Sequence, residues 1–112
     1  MGRTGTGLPR PHNLFVQQST PVGNDADGFE LPPATEWVFW CACREQPLGY
    51  SQEAKGANGE SYSYSSIVFS DPGVPKIESG TRIEVREPDG SVRLAGEVKR
   101  FSEDLMHVRI WV

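Results

Sequence analysis

The side chains best able to do chemistry in this 112-residue chain are two thiols, two imidazoles, paired carboxylates and a set of aromatic rings. Cys41 and Cys43 form a C-x-C pair inside the apolar run from Trp37 to Cys43. In a strand, positions i and i+2 share a face with Cα atoms roughly 6.5–7 Å apart. That is the upper edge of disulfide geometry, and the side chains run parallel. The spacing therefore favours two reduced, buried thiols acting as small hydrophobes. A zinc site needs further ligands at close spacing, and the only histidines, His12 and His107, are far along the chain. Cys43 with His107 has the residue types of a thiol–imidazole nucleophile, but a core thiol and a surface histidine is the simpler reading. No Gly-x-Ser-x-Gly elbow accompanies the serines. No catalytic, cofactor-binding or metal-ligating residue is assigned, and no cofactor is expected.

The carboxylate pairs are Asp25/Asp27 and Glu103/Asp104. Asn24-Asp25-Ala26-Asp27-Gly28 superficially follows a calcium loop. Aligning Gly28 with the turn glycine, however, puts Gly23 at the first ligand position and Ala34 at the bidentate one. With both ligands missing, the segment reads as an Asp/Gly turn. Gly2-Arg3-Thr4-Gly5-Thr6-Gly7 is glycine-rich but follows no strand, so it is not a phosphate cradle.

Tyr62, Tyr64, Trp40 and Trp111 have the chemistry of a stacking platform for single-stranded nucleic acid. Such platforms sit in basic grooves, whereas residues 36–112 carry 9 basic and 12 acidic side chains. Lys99, Arg100 and Arg109 are the one modest basic cluster. Core and cross-strand pairing is the plainer role for these rings. Some of them suit a subunit interface, where Tyr, Trp and Arg are enriched. The candidate interface residues are Phe15, Trp37, Trp40, Tyr62, Tyr64 and Trp111.

The elements that must position these residues are strands. With Gly 12 and Pro 9 the chain is too interrupted for a helical bundle, and no segment has apolar spacing at i, i+3 and i+4 over three turns. The net charge of −4 speaks against a binder that relies on a basic surface. The length allows one small domain, not a large enzyme with a deep active site. No signal peptide is recognisable, and no apolar run approaches the ~20 residues that span a bilayer. A soluble, cytoplasmically made protein with no membrane partner is expected.

Residues 1–35 hold five prolines and five glycines, with Leu14-Phe15-Val16 their only compact apolar group. They read as an extended arm with one short strand at 14–18. From Glu36 the period is two. Glu36–Arg44 would place Trp37, Phe39, Cys41 and Cys43 on one face and Val38, Trp40 and Ala42 on the other. Asn58-Gly59 signals a hairpin into a strand from Glu60 to Phe69. Ile77 is placed as a loop anchor. Thr81–Glu87, with Ile83 and Val85 inward, turns at Pro88-Asp89-Gly90-Ser91 into Val92–Phe101, which puts Val92, Leu94 and Val98 on one face. Gly96 marks a bulge or a close approach by another strand. Leu105–Val112 closes the series, with Met106, Val108, Ile110 and Val112 on one face. The expected fold is all-β: an antiparallel small barrel or sandwich of five to six strands over residues 36–112, with residues 1–35 as an extended N-terminal arm.

The run Ile77-x-x-Gly80-Thr81-Arg82-Ile83-x-Val85, then Asp89-Gly90, then Gly96-x-Val98-Lys99-x-Phe101, ending Val108-Arg109-Ile110-Trp111-Val112, resembles small tailed-phage virion proteins at the head–tail junction. These are the head-closure (stopper) and related minor capsid proteins. The resemblance covers residues 36–112. It implies a small β-barrel with long loops or arms that assembles as a ring beneath the portal, with no catalytic residues. It further implies a homo-oligomer in the assembled state, portal, adaptor or tail proteins as partners, and a place in the host cytoplasm and then the virion. Nucleic acid is not expected as a specific partner. The residues alone leave a second reading open: a small β-barrel binding module for a carbohydrate, small ligand or single-stranded nucleic acid, using Tyr62, Tyr64, Trp40 and Trp111.

Overall fold

The structure, a computed structural model, describes residues 10–55 and 61–112. Among these residues there is no helix. Seven strands form a single antiparallel sheet: β1 (His12–Thr20), β2 (Ala34–Lys55), β3 (Ser61–Ser70), β4 (Arg82–Arg86), β5 (Val92–Glu97), β6 (Arg100–Glu103) and β7 (Val108–Trp111). Their order is β5-β4-β1-β2-β3-β7-β6. The all-β antiparallel expectation holds. The expected five to six strands and the closed barrel do not, because the sheet has seven strands and is open. The extra strand arises where Val92–Phe101, expected as one strand, breaks at Val98-Lys99. There the chain leaves the β4 edge and crosses to β7: Val98 N–H donates to Thr81 O (2.9 Å) and Lys99 N–H to Trp111 O (2.7 Å). β5 and β6 are thus opposite edges of the sheet, bridged by two residues of chain and not by a ladder. The sheet curls to bring its ends that close.

β2 is the common strand. Residues up to Cys43 pair with β1, and residues from Arg44 onward pair with β3. Twenty-two residues at about 3.3 Å each would run to roughly 70 Å, longer than the 57 Å maximum extent of the molecule. The strand must therefore bend, and it does so at two irregularities. At the first, Leu14 pairs with Cys41 but Phe15 pairs with Phe39, so Trp40 is an extra residue on β2. At the second, Pro47 pairs with Ser66 but Gln52 with Tyr64, so four residues of β2 face one of β3. Gly49, with φ of 82°, lies in that stretch, a conformation that suits glycine.

The first bulge corrects the expected faces of Glu36–Arg44. Cys43 is buried and Cys41 packs on the core, but beyond Trp40 the alternation is inverted. Val38 now lies opposite the buried Val16, and Phe39 is 55% exposed. A second inversion occurs in β5, where Val85 pairs with Leu94 but Arg86 with Val92, leaving Arg93 as the extra residue. Val92, expected inward with Leu94, is exposed instead. Met106 is likewise exposed, because β7 begins only at Val108.

The short strand expected at 14–18 is present and longer. It lies between β4 and β2, so Leu14 and Val16 enter the core. The core combines these with Cys43, Val68, Ile83, Val85, Val98, Val108, Ile110 and Val112, and Ile77 anchors the β3–β4 connection as expected. The Pro88–Ser91 turn forms, with Gly90 at φ 92° and Glu87 N–H donating to Ser91 O at 2.9 Å. The Asn58-Gly59 turn and the Gly2–Gly7 run lie outside the described residues. No helix of the described residues is long and apolar enough to cross a membrane.

Of the two readings of Gly96, a bulge or a close approach by another strand, the structure shows a close approach, made by the side chain of Val112 just beyond β7. A Cβ there would lie 2.9 Å from Val112 Cγ1, inside van der Waals contact. Gly96→Ala is expected to destabilise the fold by about 1 kcal/mol, and Gly96→Val by up to ~3 kcal/mol, through overpacking of the seam between sheet edge and C-terminus. Urea denaturation followed by tryptophan fluorescence measures this. An unchanged midpoint for both variants would refute the contact.

Candidate functional site

Where β2 changes partner from β1 to β3, it buries a carboxylate. Glu45 follows Cys43 on the inner face, and its side chain is 4% exposed. A buried carboxylate needs donors, and three neighbouring strands address this residue. Ser66 Oγ on β3 donates to Oε2 at 2.8 Å, and Arg93 Nε on β5 donates to Oε1 at 2.6 Å. The Glu45 backbone N–H donates to His12 Nδ1 on β1 at 3.1 Å. Arg93 Nη1 reaches on to Glu87 Oε2 at 3.1 Å, and His12 Nε2 lies 3.6 Å from Glu87 Oε1. Because Nδ1 accepts, the ring proton belongs on Nε2, facing Glu87. Its hydrogen bonds to Glu45, then to Glu87, hold the Arg93 pKa above its ordinary value. The bulge at Arg93 is what turns this side chain toward Glu45. These are acid, base and hydroxyl types, and each is engaged by another: Glu45 is buried, while Arg93 and Glu87 remain about a third exposed at 34% and 37%. Chemically this is a clamp joining four strands.

Of these residues the sequence pointed only to His12, as a possible but distant metal ligand; Glu45, Ser66, Arg93 and Glu87 were not singled out. Each belongs to a polar position in an alternating strand or turn, and only the two bulges and the sheet order bring them together. A charged residue two positions beyond Cys43, on the same expected face, was the one available signal.

The predicted interface residues fall in separate places. Phe15 and Trp37 lie together on the outer face of β1 and β2. Phe15 meets Phe39 edge-to-face at 5.7 Å, and the Arg86 guanidinium lies 4.0 Å from the Phe15 ring centroid and 5.9 Å from that of Trp37. Glu84 pairs with Arg86 at 2.9 Å. Trp40, displaced by its bulge, donates from Nε1 to Pro75 O at 3.1 Å. It borders an open cleft of about 230 Å³ between Val16–Gln18 and Lys76–Glu78. Trp111 is on β7, opposite Ile67 and Arg100, with the Arg100 guanidinium 5.3 Å from its ring. Tyr64 is half-buried on β3. Tyr62 pairs through its backbone with Ala54, and its side chain lies outside the description. Trp40 and Trp111 therefore do not share a stacking row.

A second outer face also combines rings and cations. Arg44, Phe69, Arg109 and Ser102 form one cross-strand row over β2, β3, β7 and β6, and Gln46, Ile67, Trp111 and Arg100 form the next. Arg44 lies over the Phe69 ring at 5.5 Å, and His107 meets that ring edge-to-face at 5.5 Å. The backbone N–H groups of His107 and Met106 hold the Asp104 pKa below the ordinary carboxylate value.

Cys41 and Cys43 are both free. Burial pushes Cys41 up to about 11 and Cys43 to about 12 from 9.0. Such thiols are poor nucleophiles. The paired Asp25 and Asp27 form the expected turn, in which Asp25 Oδ1 accepts from the N–H groups of Asp27 and Phe29, both at 2.9 Å. No group of three His, Cys, Asp or Glu side chains among the described residues is placed to hold a metal ion. Comparison of the chain with protein-family models, curated proteins and solved structures returns no match.

Two outcomes are expected from this geometry. Glu45→Ala removes two charge-assisted hydrogen bonds and leaves Ser66 Oγ unpaired, so it costs at least ~2 kcal/mol in urea unfolding; a loss under ~0.5 kcal/mol would refute the clamp. The thiols protonate more tightly when folded than when unfolded, so their contribution is full below pH 9.0 and declines as pH rises toward about 11–12. The urea midpoint should therefore fall between pH 9 and pH 11 less in a Cys41→Ala/Cys43→Ala variant than in the parent. Equal declines would show that the thiols are not the source.

Proposed function

We propose that the chain is a structural assembly protein that acts through protein–protein contacts. The observation that carries this reading is the ribbon at the far end of β2 and β3. Gln52–Lys55 pairs with Ser61–Tyr64, whereas β7 supports only Ile67–Ser70 and the Val112 backbone supports Ser65 and Ser66. Among the described residues no third strand flanks the ribbon. A two-stranded ribbon alone is marginal in water and needs a further strand or a packed face to be stable. In this reading the ribbon is completed by another chain. The radius of gyration, 16.5 Å, exceeds the roughly 13 Å of a compact domain of this length, as projecting elements require. The exposed Phe39 beside Phe15 and Trp37 adds a ring-rich face of the composition found in interface cores.

The specific form we propose follows the resemblance in residues 77–112: a virion component at a tailed-phage head–tail junction, working in a ring with portal, adaptor or tail proteins as neighbours. In this form the curled sheet is the rigid body of each subunit. The second reading, a binding module, is favoured by one observation, the open cleft beside Trp40. It would take a small ligand there, not a strand of bases across Trp40 and Trp111.

Size-exclusion chromatography with light scattering tests the proposal, using the protein alone and mixed with a portal or adaptor protein. A mass that is a multiple of 12.4 kDa, or a stable mixed complex, is expected. A strict monomer that binds neither, and whose tryptophan fluorescence instead responds to a small ligand, would overturn it in favour of the second reading.

A further inference from the structure

We propose that the outer face carrying Arg44, Phe69, Arg109, Trp111 and Arg100 receives the β1–β2 loop of a second copy of this chain, so that copies join head to tail. This deepens the assembly reading above and rests on it.

The receiving face is basic and apolar in a chain whose net charge is −4. Its rings, Phe69 and Trp111, are each flanked by a guanidinium in cation–π range. Arg109 and His107 share Asp104 at 3.9 and 3.8 Å. Arg44 and Arg100 have no carboxylate partner among the described residues, and Arg44 Nε has no hydrogen-bond partner. One acid against three arginines leaves the face positive.

The β1–β2 loop has the complementary chemistry. It carries Asp25, Asp27 and Glu30, all exposed, and Phe29, beside its turn, is 70% exposed, with Val22 and Leu31 also open to solvent. It is held in one shape: Asp25 N–H donates to Phe29 O at 2.8 Å and Leu31 N–H to Gly23 O at 2.9 Å, closing a small ladder around Gly28. An apolar ring on a preformed acidic loop loses little conformational entropy on docking. Opposite charge around an apolar centre is the arrangement that fixes partner and register.

The loop cannot fill its own chain's face. β2 takes over at Ala34, and the face begins ten residues further along at Arg44, up to ~33 Å away at strand rise and less across the bend at Trp40. In the head-to-tail arrangement proposed, each copy gives its loop to one neighbour and its face to another, so the contact is heterologous and repeats, closing as a ring or extending as a filament.

Sedimentation velocity on the full chain, at low and high salt, provides the test. In the loop variant, Asp27→Lys/Glu30→Lys, Asp25 is kept because its Oδ1 holds the turn. In the face variant, Arg100→Glu/Arg109→Glu, both positions are on the outer face. Each variant alone is expected to weaken self-association about tenfold or more, a loss of about 1.4 kcal/mol, and high salt is expected to weaken the parent. Mixed in equal amounts, the two variants are expected to form a two-chain species that grows no further, since one intact loop meets one intact face. Phe29→Ser, at an exposed loop position outside the core, is expected to weaken association without lowering the thermal midpoint, which guards against a charge variant that fails to fold. A parent that assembles while all three variants assemble equally well overturns this contact and leaves the assembly role standing. A parent that neither self-associates nor binds a portal or adaptor protein overturns both. A face variant whose only loss is binding of a single-stranded oligonucleotide also overturns the contact, in favour of a nucleic-acid surface.

Discussion

The buried carboxylate of Glu45 is the constraint on which the rest of the sheet depends. It sits where β2 ends its pairing with β1 and begins its pairing with β3. A charge at that depth is tolerated only with donors in place. Ser66 and Arg93 supply them from β3 and β5, and His12 takes the Glu45 N–H from β1. These partners come together only because β1, β3 and β5 all reach this point of β2.

Two single-residue bulges make the clamp and the surfaces compatible. Strand periodicity is two, so one extra residue inverts every side chain beyond it. The extra Trp40 turns Phe39 to the outside and gives the fold an exposed ring beside Phe15. The extra Arg93 turns a cation inward to Glu45 and Glu87 and puts Val92 outside. The same local device satisfies a buried charge in one strand and exposes an aromatic surface in another.

The molecule thus divides into a clamped core and projecting parts. The core is a curled sheet whose two edges, β5 and β6, are joined by Val98 and Lys99 instead of by a ladder. Leaving the core are the far end of the β2–β3 ribbon and the acidic β1–β2 loop.

Composition and spacing determined the strand class, because apolar alternation at period two and frequent Gly and Pro leave no helical solution. They also determined the inward faces of Thr81–Glu87 and of Val108–Val112, the Pro88–Ser91 turn and the loop anchor Ile77, since each depends on local chemistry within a few residues. The fate of Phe39, Val92 and Arg93 was not legible, because a bulge is set by the partner strand's register and not by the bulged strand's own sequence. The split of Val92–Phe101 and the open ends had the same origin: Val98 and Lys99 read as continuing strand until the positions of Thr81 and Trp111 are known. The clamp is the clearest case. His12, Glu45, Ser66, Glu87 and Arg93 are ordinary polar residues along the chain. Only the tertiary structure, by placing β1, β3 and β5 around one point of β2, makes them a single unit.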